Sequence, residues 1–227
     1  MKYTLFLLIA MMAVNSSCKK NSQPAPPLTP VSKYMNYTAG SLWTIQLTKN
    51  ASTSPVTANY TLTATSRDTL INGRSYRVYA NSTGINEYYY NDGSNYYTYR
   101  NLPGGLGTQN VEILYLKDNA NTGVEWSQIY DIEVSGVPIK VTLTNRVEER
   151  GLTKTVNGKA YTDVIKIKTT LAATGIPFAY TLTSDIYQFY APQAGMITEK
   201  TKAELNVTGF PASGIEEDKL LLSSVLQ

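Results

Sequence analysis

The strongest constraint on this chain is a two-residue hydrophobic period that runs through most of it after residue 41. Leu42-Trp43-Thr44-Ile45-Gln46-Leu47-Thr48 alternates apolar and polar, as does Tyr60-Thr61-Leu62-Thr63-Ala64-Thr65. The longest case is Val137 to Val147, where Val137, Ile139, Val141, Leu143 and Asn145 share a face against Lys140, Thr142, Thr144 and Arg146. Pro138 there marks an edge or a strand start. Successive side chains of a strand point to opposite faces, so this pattern makes half-buried strands and not helices. β-branched and aromatic residues fill the runs, as strands favour. Asn72-Gly73 and Asn157-Gly158 fall between such runs, where both residues tolerate the positive φ of a two-residue hairpin. Asn91-Asp92-Gly93-Ser94-Asn95 joins Glu87–Tyr90 to Tyr96–Arg100 in a longer hairpin. Ile215 to Leu222 is the nearest approach to a helix and is expected to form a turn or two. The pattern predicts an all-β fold, about ten antiparallel strands in up-and-down order. Such a strongly curved sheet forms an open barrel or β-sandwich.

The first 33 residues follow another rule. Lys2 precedes the ten-residue apolar run Leu5 to Val14, and Ser16 and Ser17 stand before Cys18. These are the three parts of an export signal, and the run is too short to cross a bilayer, which takes about 20 residues. Cys18 is the sole cysteine, so an intramolecular disulfide is excluded, and its position is that of a lipidated residue. Residues 19–33 hold four of the ten prolines and read as an extended tether. The expected organisation is a signal peptide over 1–17, a lipidated cysteine and tether over 18–33, and one β domain over 34–227. Loss of Lys2 with the signal leaves 19 basic and 17 acidic residues, which gives no electrostatic case for nucleic acid. The membrane, through the anchor, is the first expected partner.

The chain has no histidine, which removes the commonest general base and the commonest transition-metal ligand. With Cys18 acylated there is no thiolate, so nucleophile pairs and Cys/His metal sites are excluded; no catalytic residue, metal or cofactor is expected. Carboxylates remain. Glu148-Glu149 reads as a solvated strand end and Glu216-Glu217-Asp218 as a polar loop, while Asp131 and Glu133 could share a strand face. Glycoside hydrolysis needs two carboxylates about 5 to 10 Å apart in a cleft, and nothing local favours that arrangement over chance.

Of the 24 aromatic residues, 18 are tyrosine. Tyr88, Tyr89 and Tyr90 face Tyr96, Tyr97 and Tyr99 across one turn, so rings stand on both faces of that hairpin. They are the candidate contacts for a glycan, a lipid or an envelope protein. Cross-strand aromatic pairing accounts for the same alternation without a ligand and is the favoured explanation. Trp43 and Trp126 each follow a glycine and begin an alternating strand, which marks them as structural anchors. Tyr97→Ala is therefore expected to cost less stability than truncating either tryptophan.

Several short segments carry a resemblance. They are Tyr37-Thr38-Ala39-Gly40-Ser41-Leu42-Trp43, Asn72-Gly73-Arg74-Ser75-Tyr76-Arg77-Val78-Tyr79 and Gly123-Val124-Glu125-Trp126. Two later ones are Thr155-Val156-Asn157-Gly158-Lys159-Ala160-Tyr161-Thr162-Asp163-Val164-Ile165 and Phe189-Tyr190-Ala191-Pro192-Gln193-Ala194-Gly195-Met196-Ile197. In this order they resemble the exported, mostly uncharacterised lipoproteins of Bacteroidetes over about 34–205, with Gln193 standing where glycine is usual. The resemblance implies an antiparallel curved sheet outside the cytoplasm and brings no catalytic residues. The expected function is a lipid-anchored envelope module for binding or scaffolding, facing the periplasm from the outer membrane. The alternative is a carrier holding an apolar ligand in a curved-sheet cavity. A carboxylate-based hydrolase comes third.

Overall fold

The computed structural model describes residues 33–50, 54–103, 109–134, 137–209 and 212–227. The signal segment, Cys18 and the tether up to residue 32 lie outside them. Among the described residues there are twelve strands. The first six are β1 (Leu42–Lys49), β2 (Val56–Ile71), β3 (Arg74–Asn81), β4 (Glu87–Asn91), β5 (Asn95–Asn101) and β6 (Asn110–Lys117). The others are β7 (Glu125–Val134), β8 (Val137–Val156), β9 (Lys159–Thr174), β10 (Tyr180–Ala191), β11 (Gly195–Val207) and β12 (Ser213–Val225). All pair antiparallel in one sheet of order β6-β5-β4-β3-β2-β1-β12-β11-β10-β9-β8-β7. Two six-strand meanders are thus joined where β1 pairs with β12.

The turns obey the local chemistry. Asn72-Gly73 and Asn157-Gly158 take φ of 50° and 79°, and of 45° and 77°, closing β2–β3 and β8–β9. Two expectations need correction. Ile215 to Leu222 is no helical turn but lies within β12, because ladders to β1 and β11 satisfy its backbone on both sides. Glu148-Glu149 does not end a strand: it lies midway along β8, where the register slips between Val147 and Glu149.

The edge strands β6 and β7 are neighbours in sequence, and the sheet curls until they meet as a nearly closed barrel. No backbone ladder joins them. Side chains take its place along the seam. Gln128 Oε1 accepts from the Leu114 N–H at 2.7 Å, and Gln128 Nε2 donates to the Glu112 carbonyl at 3.3 Å. Trp126 Nε1 and Asn145 Nδ2 donate to the Leu114 carbonyl at 2.8 and 3.0 Å, and the Tyr130 hydroxyl donates to that of Glu112 at 2.8 Å. A free strand edge is a row of unpaired donors and acceptors, so these bonds blunt what would invite another chain.

One end of the barrel is plugged by residues 33–40. Tyr34 is fully buried, and the backbone N–H groups of Lys33 and Tyr34 donate to the Tyr96 hydroxyl at 3.0 and 3.2 Å. The Tyr79 hydroxyl donates to the Asn36 carbonyl at 2.6 Å, and Trp43 Nε1 to that of Ala194 at 2.9 Å. The β10–β11 turn receives the plug: Gln193 N–H donates to the Lys33 carbonyl at 2.7 Å. A side chain at Gly195, whose φ is 71°, would come within 2.9 Å of Met35 Sδ. The segment Phe189–Ile197 therefore closes the barrel. Near this end the interior is apolar, with Ile45, Ile165, Ile197 and Leu221 buried.

Candidate functional site

Toward the opposite end the inward face changes character. On β11 the buried positions run Ile197, Glu199, Thr201, Ala203 and Leu205, so strand alternation carries a carboxylate inside. On β12 the same phase places Glu217 and Lys219 between Ile215 and Leu221, and on β5 it carries Arg100 two residues beyond Thr98. Glu87 of β4 and Gln188 of β10 complete the group. Glu216-Glu217-Asp218, expected as a loop, is thus part of a strand with Glu217 turned inward.

Glu199 sits at the centre, its side chain only 2% exposed. Lys219 Nζ donates to Oε1 at 2.5 Å and Gln188 Nε2 to Oε2 at 2.5 Å, while Arg100 Nη2 stands 3.7 Å from Oε2. Burial pushes this carboxyl up. The charges of Lys219 and Arg100, with the hydrogen bonds from Lys219 and Gln188, outweigh burial and hold it at about 2. Burial disfavours the charged Arg100 too, but the Glu199 carboxylate more than compensates and keeps the guanidinium protonated. Tyr60, Tyr89 and Tyr190 are pushed well above the ordinary phenol range, chiefly by burial, and are neutral hydroxyls.

Two cavities meet at this cluster. The inner one, about 80 Å³, lies among Trp43, Tyr89, Tyr115, Leu143 and Tyr190. The second, about 380 Å³, forms the mouth; its wall includes Ile85, Arg100, Pro103, Thr201, Ile215 and Glu217. Glu87, Arg100, Pro103 and Lys219 line both. The mouth is within the range of about 300–1,000 Å³ usual for small-molecule sites, and the inner cavity is well below it.

The tyrosines expected as ligand contacts fall into separate settings. Tyr89 packs inside, its ring 5.0 Å from that of Tyr79. Tyr96 is fully buried and its hydroxyl, besides holding the plug, donates to Asp118 Oδ2 at 2.8 Å. Tyr90 and Tyr97 stack with centroids 5.7 Å apart, and the Arg74 guanidinium lies 4.3 Å over the Tyr97 ring. Arg74 pairs with Glu112, which also accepts from the Tyr76 hydroxyl at 2.5 Å. Those faces are taken up by the protein's own cation. Tyr88 and Tyr99 meet edge-on at 6.4 Å, and Tyr99 also borders the mouth. Tyr97 is only 8% exposed: cross-strand stacking and Arg74 cover it, so it does not stand open as a ligand contact.

The charged cluster escaped the sequence reading, which searched for carboxylates close together in the chain. Its signal was there in another form: a charged residue occupying the apolar phase of an alternating strand, as Glu199 does between Ile197 and Ala203.

No protein-family model matches the chain, and no curated protein does. Among solved structures, an inferred lipoprotein of Parabacteroides distasonis ATCC 8503 gives a TM-score of 0.51 at 12% identity, covering 86% of this chain and 99% of that one. An inferred exported protein of Bacteroides fragilis NCTC 9343, with a YmcC-like fold, gives 0.47 at 10% identity with the same coverage. The first likeness shows a shared fold, the antiparallel curved sheet expected from the alternation and from the resemblance to Bacteroidetes lipoproteins.

Proposed function

We propose that this chain is a lipid-anchored envelope protein that binds a small water-soluble ligand in the mouth of its barrel and performs no chemistry on it. The observation that carries this reading is the mouth of about 380 Å³ walled by a preformed, buried ion cluster. Burying charges is costly unless they are paired and hydrogen-bonded. The charged wall argues against an apolar cargo. The inner cavity of about 80 Å³, crowded by rings, is too small for an acyl chain. Glu199 does not favour hydrolysis either. A general acid needs a raised pKa, whereas Glu199 is held ionised.

Position supports the same reading. Lys33 is held at the plugged end by Tyr96, and Arg100 lies four residues further along β5, about 13 Å away at about 3.3 Å per residue. Lys33, where the described residues begin, lies at the plugged end, so an anchor at Cys18 would join the domain on the side away from the mouth. The segment Lys19-Lys20-Asn21-Ser22-Gln23 has neither an acidic cluster nor an aspartate beside the cysteine, which favours the periplasmic face of the outer membrane. Cys18→Ser should move the protein from the membrane fraction to the soluble one, since acyl chains contribute about 0.8 kcal/mol per buried CH₂. A variant still sedimenting with membranes after a high-salt wash would rule out the anchor.

The binding reading is tested by extracting the full chain under native conditions and identifying released small molecules by mass spectrometry. Ile215→Trp, which narrows the mouth with a bulkier side chain, serves as the comparison. A water-soluble species recovered from the parent and lost from the variant is the expected result. Recovery of a lipid, or of nothing from either protein, would overturn it.

A further inference from the structure

The charges around the mouth are unevenly satisfied. Glu199 is occupied by Lys219 and Gln188, and Glu87 accepts from the Tyr89 hydroxyl at 2.5 Å and from Asn81 Nδ2 at 3.0 Å. Lys219 is committed to Glu199, with Glu217 a further 3.7 Å contact. Two groups are left over. Arg100 Nε is buried without a hydrogen-bond partner, and the ion pair of this guanidinium with Glu199, at 3.7 Å, exceeds hydrogen-bond length. Glu217, its side chain 14% exposed, has among the described residues only the 3.7 Å approach of Lys219. An unsatisfied buried donor calls for an explanation, and these two groups of opposite sign line the same cavity.

Their chemistry names what would satisfy both. The guanidinium fork offers parallel N–H donors that match a carboxylate, and a carboxylate accepts the three donors of an ammonium. The wall already carries three carboxylates, Glu87, Glu199 and Glu217, against two cations, Arg100 and Lys219. A lone anion, above all a doubly charged phosphate, would add to that negative excess, whereas a molecule with one charge of each sign adds none. Ile85, Leu102, Pro103 and Ile215 supply apolar wall for a side chain.

We infer that the mouth takes a zwitterion, an α-amino acid or short peptide, with its carboxylate on Arg100 and its ammonium on Glu217. This rests on the reading of the mouth as a ligand site.

The test is calorimetric titration of the full chain with the common free amino acids and dipeptides, beside their N-acetylated and C-amidated forms. For those that bind, blocking either end should weaken affinity roughly 10- to 100-fold, the range for a lost hydrogen bond to a charged group. Arg100→Gln should erase the penalty of amidation alone, and Glu217→Gln that of acetylation alone. Because the blocks are on the ligand, the parent protein decides the matter even if a variant fails to fold. Blocked compounds binding as tightly as free ones would overturn the inference. Recovery of a neutral sugar from the native protein would overturn it while leaving the mouth as a ligand site. Failure of the whole panel, with nothing recovered from native material, would remove both.

Discussion

Trp43→Ala should lower the melting temperature by about 6–20 °C, from a truncation cost of about 3–5 kcal/mol at about 2–4 °C per kcal/mol for a domain of this size. Trp43 is 3% exposed, its ring 5.6 Å from that of Tyr79, and its indole N–H holds the Ala194 carbonyl of the β10–β11 turn. The substitution thus opens a cavity beside the plug and strands a buried acceptor. Trp126→Ala should cost a similar amount for a different reason. Its N–H is one of the bonds that close the seam between β6 and β7, so its loss frees an edge as well as a volume. Trp43→Phe separates the contributions, since it keeps most of the packing and loses only the hydrogen bond. Tyr97→Ala should fall below either tryptophan yet well above a surface change, because Tyr97 is buried and supports Arg74. Thermal melts of the four variants beside the parent decide this. Tryptophan variants that melt like the parent would show that neither plug nor seam depends on them.

Local chemistry made the strands readable and long-range closure did not. Alternation and Asn-Gly turns are properties of neighbours in sequence, so the β2–β3 and β8–β9 hairpins were visible in the residues. The pairing of β1 with β12 and the side-chain seam of Gln128 join segments only by folding, and no local pattern announces them. Ile215 to Leu222 misled for a related reason: the inward Glu217 and Lys219 interrupt its apolar phase, which hides a strand from any test of period two. The site was obscured by the same interruption. Arg100, Glu199 and Lys219 come from β5, β11 and β12, so no motif links them, yet each breaks alternation at the same height of the barrel.

Glu199→Gln should destabilise the protein by about 3–5 kcal/mol at neutral pH, because it removes the buried carboxylate to which Lys219 is hydrogen-bonded and which faces Arg100. The effect has a definite pH signature. The Glu199 carboxyl, ordinarily near 4.5, is held at about 2 in the folded protein. A depressed folded value means that the native state favours the carboxylate. The contribution, about 3 kcal/mol, is therefore fully present above the unfolded value and is lost as pH falls from about 4.5 through 2. Parent and variant should differ most at neutral pH and converge toward pH 2, as read from denaturant midpoints along that range. A gap independent of pH would mean that the carboxylate's charge is not what matters. Replacing both Glu199 and Lys219 by leucine tests why the cluster is kept. Removing a buried ion pair for apolar groups is often neutral or stabilising, so the double variant should regain the part of the stability lost by Glu199→Gln that comes from Lys219, while Arg100 stays without Glu199. If it also retains whatever ligand is recovered from the mouth, Glu199 and Lys219 are structural and the binding rests on Arg100 and Glu217. Loss of the ligand from a stable double variant would instead place Glu199 and Lys219 themselves among the groups that hold it.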